Sequence, residues 1–430
     1  MNEIFKKKTE NIIIVGGGAA GLMSARELLK QGHIVTVLEA RDQLGGRIHT
    51  INNSSFAQPV ERGAEFIHGN PPLTIQLLKE ANIDYRPVKG AMVRIANDGW
   101  TTQNDFTVGW GELMKQMNQV KEDMTVDEFL EKNFSDKKYE ELRRSVIRFA
   151  EGFDLADTSK ASLLALREEW MEEEDEQYRV PGGFNQLINY LEQQCNELGG
   201  LIHISSTVSK ITWQRDDVTV FTTDQKIYNS NKVIITASLG MLQTEPAIIF
   251  QPAIEDYVNA AKKIGFGSVI KILLEFKEAF WEEKKKNIGF LFANTPIPTW
   301  WTQLPSSYPL LTGWGGGSHA RHLEGKDDKT ILESALQSLS IIFKKPLAEI
   351  KQLLTASLIA NWRIDPFAKG AYSYSTIESA RAQKLFSTPI ENTIFFAGEA
   401  FYDGPSPGTV EAALVSGKNV AEKILKERNN

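Results

Sequence analysis

The run Asn11–Val15, followed at once by Gly16, Gly17, Gly18, Ala19, Ala20 and Gly21, constrains this chain more than any other feature. Five residues rich in isoleucine read as a buried strand. Gly16, Gly18 and Gly21 fit the GxGxxG spacing, and Leu22, Ala25, Leu28 and Leu29 then fall on one face of a helix. His33 to Leu38 reads as a second strand that ends on Glu39. Strand, glycine turn, helix, strand and an acid about 20 residues on make the dinucleotide-binding fingerprint. Each part has a physical task. Gly16 makes the tight turn, Gly18 lets the backbone approach a pyrophosphate, and Gly21 lets helix and strand pack closely. The helix start, Ala19 and Ala20, offers amide donors to the phosphates. Glu39 can accept bonds from ribose hydroxyls. A glycine triplet alone would be no more than a flexible turn; here strand, helix and acid agree with it.

After Glu39 come Ala40 and Arg41, then Gly45, Gly46 and Arg47. The string EARxxxGGR resembles the second phosphate-binding element of the flavin amine oxidase superfamily. The two glycines permit close backbone approach, Arg47 can neutralise a phosphate, and Arg41 suits the adenosine side. The alternative is a solvated basic loop. NAD-dependent Rossmann enzymes do not usually carry this second element, so the resemblance points to FAD.

Further segments resemble the same superfamily in the expected order. Glu61 to Gly69, with Gly63, Ala64, Glu65 and Phe66, is similar to the loop beside the flavin ring. Val180 to Phe184 is similar to a PGG turn that opens a helix, and Val208 to the valine that lies against the adenine. Ile264 to Phe276 resembles the strand that carries a lysine near the flavin. Trp362 to Tyr374 resembles the segment on the flavin's catalytic side. Gly398 and Glu399, then Gly408, Thr409 and Val410, resemble the closing FAD element. The likeness covers nearly the whole chain and is nearest to monoamine and polyamine oxidases. It implies an α/β, two-domain FAD-binding (glutathione-reductase-like Rossmann) fold with an inserted α+β substrate domain. The FAD-binding part would comprise residues 1–70, 177–260 and 386–430, and the substrate part residues 71–176 and 261–385. The first insertion reads helical: Thr125 with Glu128 makes a capping box, and Tyr139 to Phe153 and Leu163 to Tyr178 are periodic. The second mixes strands (268–276 and 288–293) with a helix over 330–343.

The resemblance also assigns roles. Lys271 sits in an apolar strand, with Leu273 and Glu275 on the same face, and would hold a water against the flavin's reactive nitrogen; the alternative is an edge-strand lysine reaching solvent. Trp362 and Tyr372 would pack on the flavin and line the substrate site, where an aromatic wall suits an amine; the alternative is plain core packing. His68 would contact the substrate amine, or else is a histidine satisfied by backbone partners. Ala371 stands where animal-type monoamine oxidases carry the cysteine bonded to the flavin, and the one cysteine, Cys195, is remote. Non-covalent FAD is therefore expected. Thr409 replaces the second tyrosine of the monoamine oxidase cage, as in polyamine oxidases and histone demethylases. It also starts a helix whose dipole would stabilise the reduced, anionic flavin. The run Glu168 to Glu176 holds seven acids in nine residues. It reads as a solvated face, or as an anionic funnel that draws in cationic amines. His319 and His322 lack a third ligand and read as surface residues, so no metal is expected.

Composition narrows the field. The balance of 48 basic and 55 acidic residues, net −7, shows no basic stripe and argues against nucleic acid as a partner. A single cysteine excludes an intramolecular disulfide and a cysteine-rich zinc site. No stretch approaches the roughly 18 apolar residues of a membrane span, and no signal peptide is evident, so the default compartment is the cytoplasm. The expected activity is FAD-dependent oxidation of a primary or secondary amine, polyamine first and aromatic monoamine second, with molecular oxygen reduced to hydrogen peroxide. The expected molecule is a monomer or homodimer. The alternatives are a desaturase- or porphyrinogen-oxidase-like flavoenzyme, an L-amino-acid oxidase and, last, a non-enzymatic FAD-binding protein.

Overall fold

The computed structural model describes residues 9–96, 99–102, 109–172, 176–244, 248–404 and 406–426. Its first layer is a five-stranded parallel sheet in the order Leu201–His203, Ile34–Leu38, Asn11–Val15, Lys232–Ile235, Ile394–Phe396. Such a sheet is covered on both faces, which is why its strands read as unbroken apolar runs. The two-residue period of a strand divides Asn11–Val15 between two cores. Ile12 and Ile14 pack with Leu22, Leu28, Leu187, Leu191 and Leu414, which belong to helices Ala19–Lys30, Asn185–Glu197 and Val410–Lys426. Ile13 and Val15 face the other way, onto Val208, Ile211, Val218 and Val220 of a four-stranded sheet. Gly21 is needed at the seam: a Cβ there would lie 2.0 Å from the carbonyl oxygen of Gly16.

A seven-stranded sheet runs Leu354–Asn361, Val269–Phe276, Leu310–Gly316, Thr299–Trp301, Ile288–Ala293, Ala91–Ala96, Gly99–Thr102. It draws strands from both segments read as insertions. Strands Ala91–Ala96 and Gly99–Thr102 therefore depart from the helical reading of the first segment: Ala91–Ala96 pairs with Ile288–Ala293, a partner nearly two hundred positions away, and Gly99–Thr102 pairs with Ala91–Ala96. Ile270, Ile272, Leu274 and Phe276 point into a core under helix Asp328–Phe343. Lys271, Leu273 and Glu275 take the opposite face. The strand lies between two neighbours in the sheet, so the reading of Lys271 as an edge-strand residue in solvent is wrong.

Helices Trp110–Met117, Val126–Phe134, Glu140–Gly152 and Leu163–Glu172 share a separate core around Phe129, Phe134 and Trp170. Thr125 and Glu128 form the capping box reciprocally. The periodicity read to Tyr178 overshoots. The helix is described over Leu163–Glu172, and Gln177–Arg179 is a strand between Ile67–His68 and Arg86–Pro87. Glu173, Glu174 and Asp175 of the acidic run lie outside the described residues. Among the described residues, no helix is long and apolar enough to cross a membrane.

Candidate active site

One continuous cavity of about 1800 Å³ runs from the glycine turn of the parallel sheet to the inner face of the seven-stranded sheet. Gly16, Gly18, Ala19, Ala20, Glu39, Ala40, Arg41, Gly45, Gly46 and Arg47 line its first part, with Val208, Gly398 and Glu399. Gly63, Ala64, Glu65, Phe66, His68, Lys271, Trp362, Tyr372, Gly408, Thr409 and Val410 line the rest. Of the catalytic and cofactor-binding residues expected from the sequence, Gly21 alone stands behind the wall.

The nucleotide end is built by short backbone contacts. Glu39, 6 % exposed, accepts the Gly17 N–H (2.7 Å) and the Arg41 N–H (2.8 Å), so its carboxylate fixes both glycine-rich loops. Burial raises its pKa, and these amides and the Arg41 charge only partly offset that. Each carboxylate oxygen has a second acceptor position, which leaves room for ribose hydroxyls. Gly18 presents bare backbone to the void: a Cβ there would have its nearest neighbour 3.9 Å away and would occupy the cradle itself. Arg47 donates to the Ala371 carbonyl and to Glu399 Oε1, both at 2.6 Å. Bare backbone at a helix N-terminus, an acid at the second strand and an arginine on a second glycine loop fit the diphosphate and ribose of an FAD.

Thr409 proves to be a cap. Its hydroxyl accepts the Ala412 N–H at 3.1 Å, so helix Val410–Lys426 opens onto the cavity with its positive dipole end. Trp362 is 3 % exposed, lies under the Arg62 guanidinium and donates to the Arg62 carbonyl. The Tyr372 hydroxyl donates to the Phe153 carbonyl. Burial, then the charges of Asp154 and Glu169, raises its pKa well above the usual phenol value. Its ring is the end of a connected aromatic wall, Tyr372, Trp314, Trp301, Phe66, with centroid separations of 6.5, 5.7 and 5.6 Å. His68 opens on the cavity beside Phe66 and Phe153. The protein surrounding it pushes its pKa down to about 4, so near neutral pH it is an uncharged imidazole.

The pairing of Lys271 with Glu65 escaped the sequence reading, and so did the roles of Arg179, Trp301, Asp154 and Asp365. Lys271, 1 % exposed, has its ammonium 2.6 Å from Glu65 Oε2 and donates to the Gly63 carbonyl at 3.0 Å. The other oxygen of Glu65 is 2.7 Å from Arg179 and accepts the Trp301 indole N–H. Burial alone would raise the Glu65 pKa, but the Lys271 and Arg179 charges hold it below the ordinary carboxylate value. Asp154, which accepts the Trp170 indole N–H at 3.0 Å, and Glu169 put two carboxylates on the aromatic part of the cavity. Asp365 ties Arg41 to Arg62. Only the Asp-Pro step at Asp365 carried a local signal, that of a turn; the other pairings join residues far apart in the chain. His319 also lines the cavity, contrary to its reading as a surface residue, because helix Gly317–His322 turns inward. Among the described residues, no group of three or more potential ligands could hold a metal.

A family model described as flavin containing amine oxidoreductase matches residues 19–425. The chain is 28% identical over 454 residues to lysine-specific histone demethylase 1B of Mus musculus, covering 96% of this chain and 53% of that protein. It thus spans about half the length of that demethylase. It is 26% identical over 454 residues to polyamine oxidase 2 of Arabidopsis thaliana, covering 98% and 89%. A solved putrescine oxidase with putrescine bound superposes with a TM-score of 0.80 at 18% identity, over 97% of this chain and 99% of that one; at that identity the likeness speaks for the fold.

Proposed function

The chain belongs to the flavin containing amine oxidoreductase family, and on that premise we propose that it oxidises a diamine or polyamine with non-covalently held FAD and molecular oxygen. The observation that carries this reading is the sharing of one cavity by the nucleotide cradle and an aromatic pocket that contains Asp154 and Glu169. The pocket matches both parts of a polyamine. Methylene segments pack on Phe66, Trp301, Trp314 and Tyr372, and a distal ammonium meets a carboxylate. A hydrocarbon tunnel of the desaturase kind would have no use for two acids on its wall. The polyamine oxidase relative agrees with this choice in name.

FAD held in this cradle would supply the acceptor for a hydride from the carbon next to nitrogen and the route for those two electrons to oxygen. In balance, R–CH2–NH2 and O2 give R–CH=NH and H2O2, and water then converts the imine to aldehyde and ammonia. The chain's own residues prepare that step. Neutral His68 accepts a hydrogen bond from the incoming amine. Tyr372 and Trp362 wall the reacting carbon. Lys271 places a cation where negative charge develops during electron transfer to oxygen. Ala371, at the position of the linking cysteine in animal-type relatives, leaves the cofactor without a covalent tether. The test is a panel of mono-, di- and polyamines read by oxygen uptake and peroxide. Turnover of the di- and polyamines above the monoamines supports the proposal, and a panel with no peroxide from any amine refutes it.

A further inference from the structure

We propose that Glu65 is a positioning residue, which with Arg179 and Trp301 fixes the Lys271 side chain on the cavity wall and keeps it cationic there. The proposal rests on the reading of Lys271 as the lysine that faces the flavin.

Lys271 is held at two points of one loop, the Gly63 carbonyl and the Glu65 carboxylate. Both side chains are buried, at 1 % and 5 % exposure. A buried ammonium without a counter-ion loses its charge more readily than it stays charged. Glu65 can serve as that counter-ion because it is itself clamped: Trp301 donates to Oε1 at 3.0 Å, and Arg179 sits 2.7 Å from the same oxygen. Arg179 in turn donates to the Leu304 carbonyl and lies over the Phe66 ring, 4.7 Å from its centroid. The strands that flank Lys271 bring Trp314 and Ala360 to its register and no charge. The charged groups that face it are Glu65, Arg179 and Glu61, and burial raises the Glu61 pKa to about 7. With Glu65 neutralised, two buried cations would confront each other. Arginine does not give up its proton in proteins, so Lys271 would.

The test uses the FAD-loaded full chain, with wild type, Glu65→Gln, Glu65→Asp, Glu65→Gln/Arg179→Met and Lys271→Met. Lysine side chains carrying carbon-13 are titrated by NMR, with the Lys271 signal assigned by its loss in Lys271→Met. In parallel the flavin is reduced by light, without any amine, and its return on mixing with oxygen is timed from pH 6 to 9. In Glu65→Gln the Lys271 titration moves down by at least one pH unit, and reoxidation slows relative to wild type as pH rises past the lowered midpoint and recovers below it, the ratio of charged to neutral lysine changing about tenfold per unit. Glu65→Asp keeps the charge and restores most of both properties. Removing Arg179 in the Glu65→Gln background moves the titration back up, and this double variant also serves should the single one fold poorly. A Lys271 titration that is the same in Glu65→Gln and wild type overturns the proposal. Reoxidation as fast in Lys271→Met as in wild type overturns only the placement of Lys271 at the flavin, and the NMR titration still decides the role of Glu65.

Discussion

Arg41 and Asp365 lie 324 positions apart and form an ion pair in which the carboxylate is 2 % exposed. Asp365 also pairs with Arg62 at 3.4 Å and accepts the backbone N–H groups of Phe367 and Ala368. Burial would raise its pKa; Arg41, in ion pair and hydrogen bond, and these amides hold it below the ordinary value. One buried acid thus joins the second glycine loop, the loop beside Trp362 and the Phe367–Ala368 stretch of the cavity wall. Asp365→Ala would leave two guanidinium groups facing each other. Removing one partner of a buried pair costs about 3–5 kcal/mol. Loss of thermal stability together with weaker flavin retention is expected, measured by melting and by the fluorescence of released flavin. Retention equal to wild type would place Asp365 outside the cofactor's support.

Glu39→Ala removes the acceptor of two loop amides as well as the ribose partner. Each buried donor left unpaired costs roughly 1–3 kcal/mol. The variant should purify depleted of flavin and recover only part of it at high FAD concentration. Full occupancy at limiting FAD would show that Glu39 serves neither loop nor ribose.

Ala371 is 6 % exposed on the cavity wall and offers no sulfur to the flavin. Acid or heat should release the yellow colour into the supernatant. Colour that stays with the precipitate would contradict a non-covalent cofactor.

Two groups, His68 on the cavity wall and the half-buried Glu61, give the apoprotein opposite pH responses. His68 is held at about 4 against an ordinary 6.5. Its stabilising effect is complete above 6.5 and lost as pH falls toward 4, because the unfolded chain takes up the proton first. Glu61 is raised by burial from 4.5 to about 7. Its contribution is complete below 4.5 and lost as pH rises through 7, on the order of 3 kcal/mol at 1.36 kcal/mol per unit. Glu61→Gln should therefore flatten the melting temperature between pH 5 and 8. An unchanged slope there would mean that Glu61 is ionised at no cost.

Asp154→Asn tests the polyamine reading against a monoamine reading. A charge-assisted bond is worth about 1.5–3 kcal/mol. The kcat/KM for a diamine or polyamine should fall by about tenfold to a hundredfold on that scale, and that for a monoamine of equal length by much less. Equal losses on both would assign Asp154 to holding Trp170 rather than to the substrate.

Much of the nucleotide end was legible because its chemistry is local. Strand, glycines, helix and Glu39 lie within one short stretch, and backbone geometry forces glycine where a Cβ would strike a carbonyl. The face of Lys271 was legible for the same reason, since alternation along a strand needs no partner. Its ion pair was not. Glu65, Arg179 and Lys271 come from three elements, and nothing in the spacing of residues 65, 179 and 271 announces that they meet. The strand at Gln177–Arg179 was misread because its neighbours at Ile67 and Arg86 supply the pairing that its own sequence lacks. His319 was misread because the inward turn of a short helix follows from packing against Glu151, which accepts the Ser318 N–H and binds Arg321.

The most direct test of the account separates the two halves of the reaction. Purified protein is mixed with putrescine, spermidine or spermine in the absence of oxygen, the flavin absorbance is followed, and oxygen is then admitted. The account predicts bleaching by at least one of these amines, and return of colour with one peroxide per flavin. It also predicts that Lys271→Met keeps the bleaching but slows the return about tenfold or more, the loss of roughly 1.4 kcal/mol of charge stabilisation. A flavin that no di- or polyamine bleaches would contradict the account at its centre.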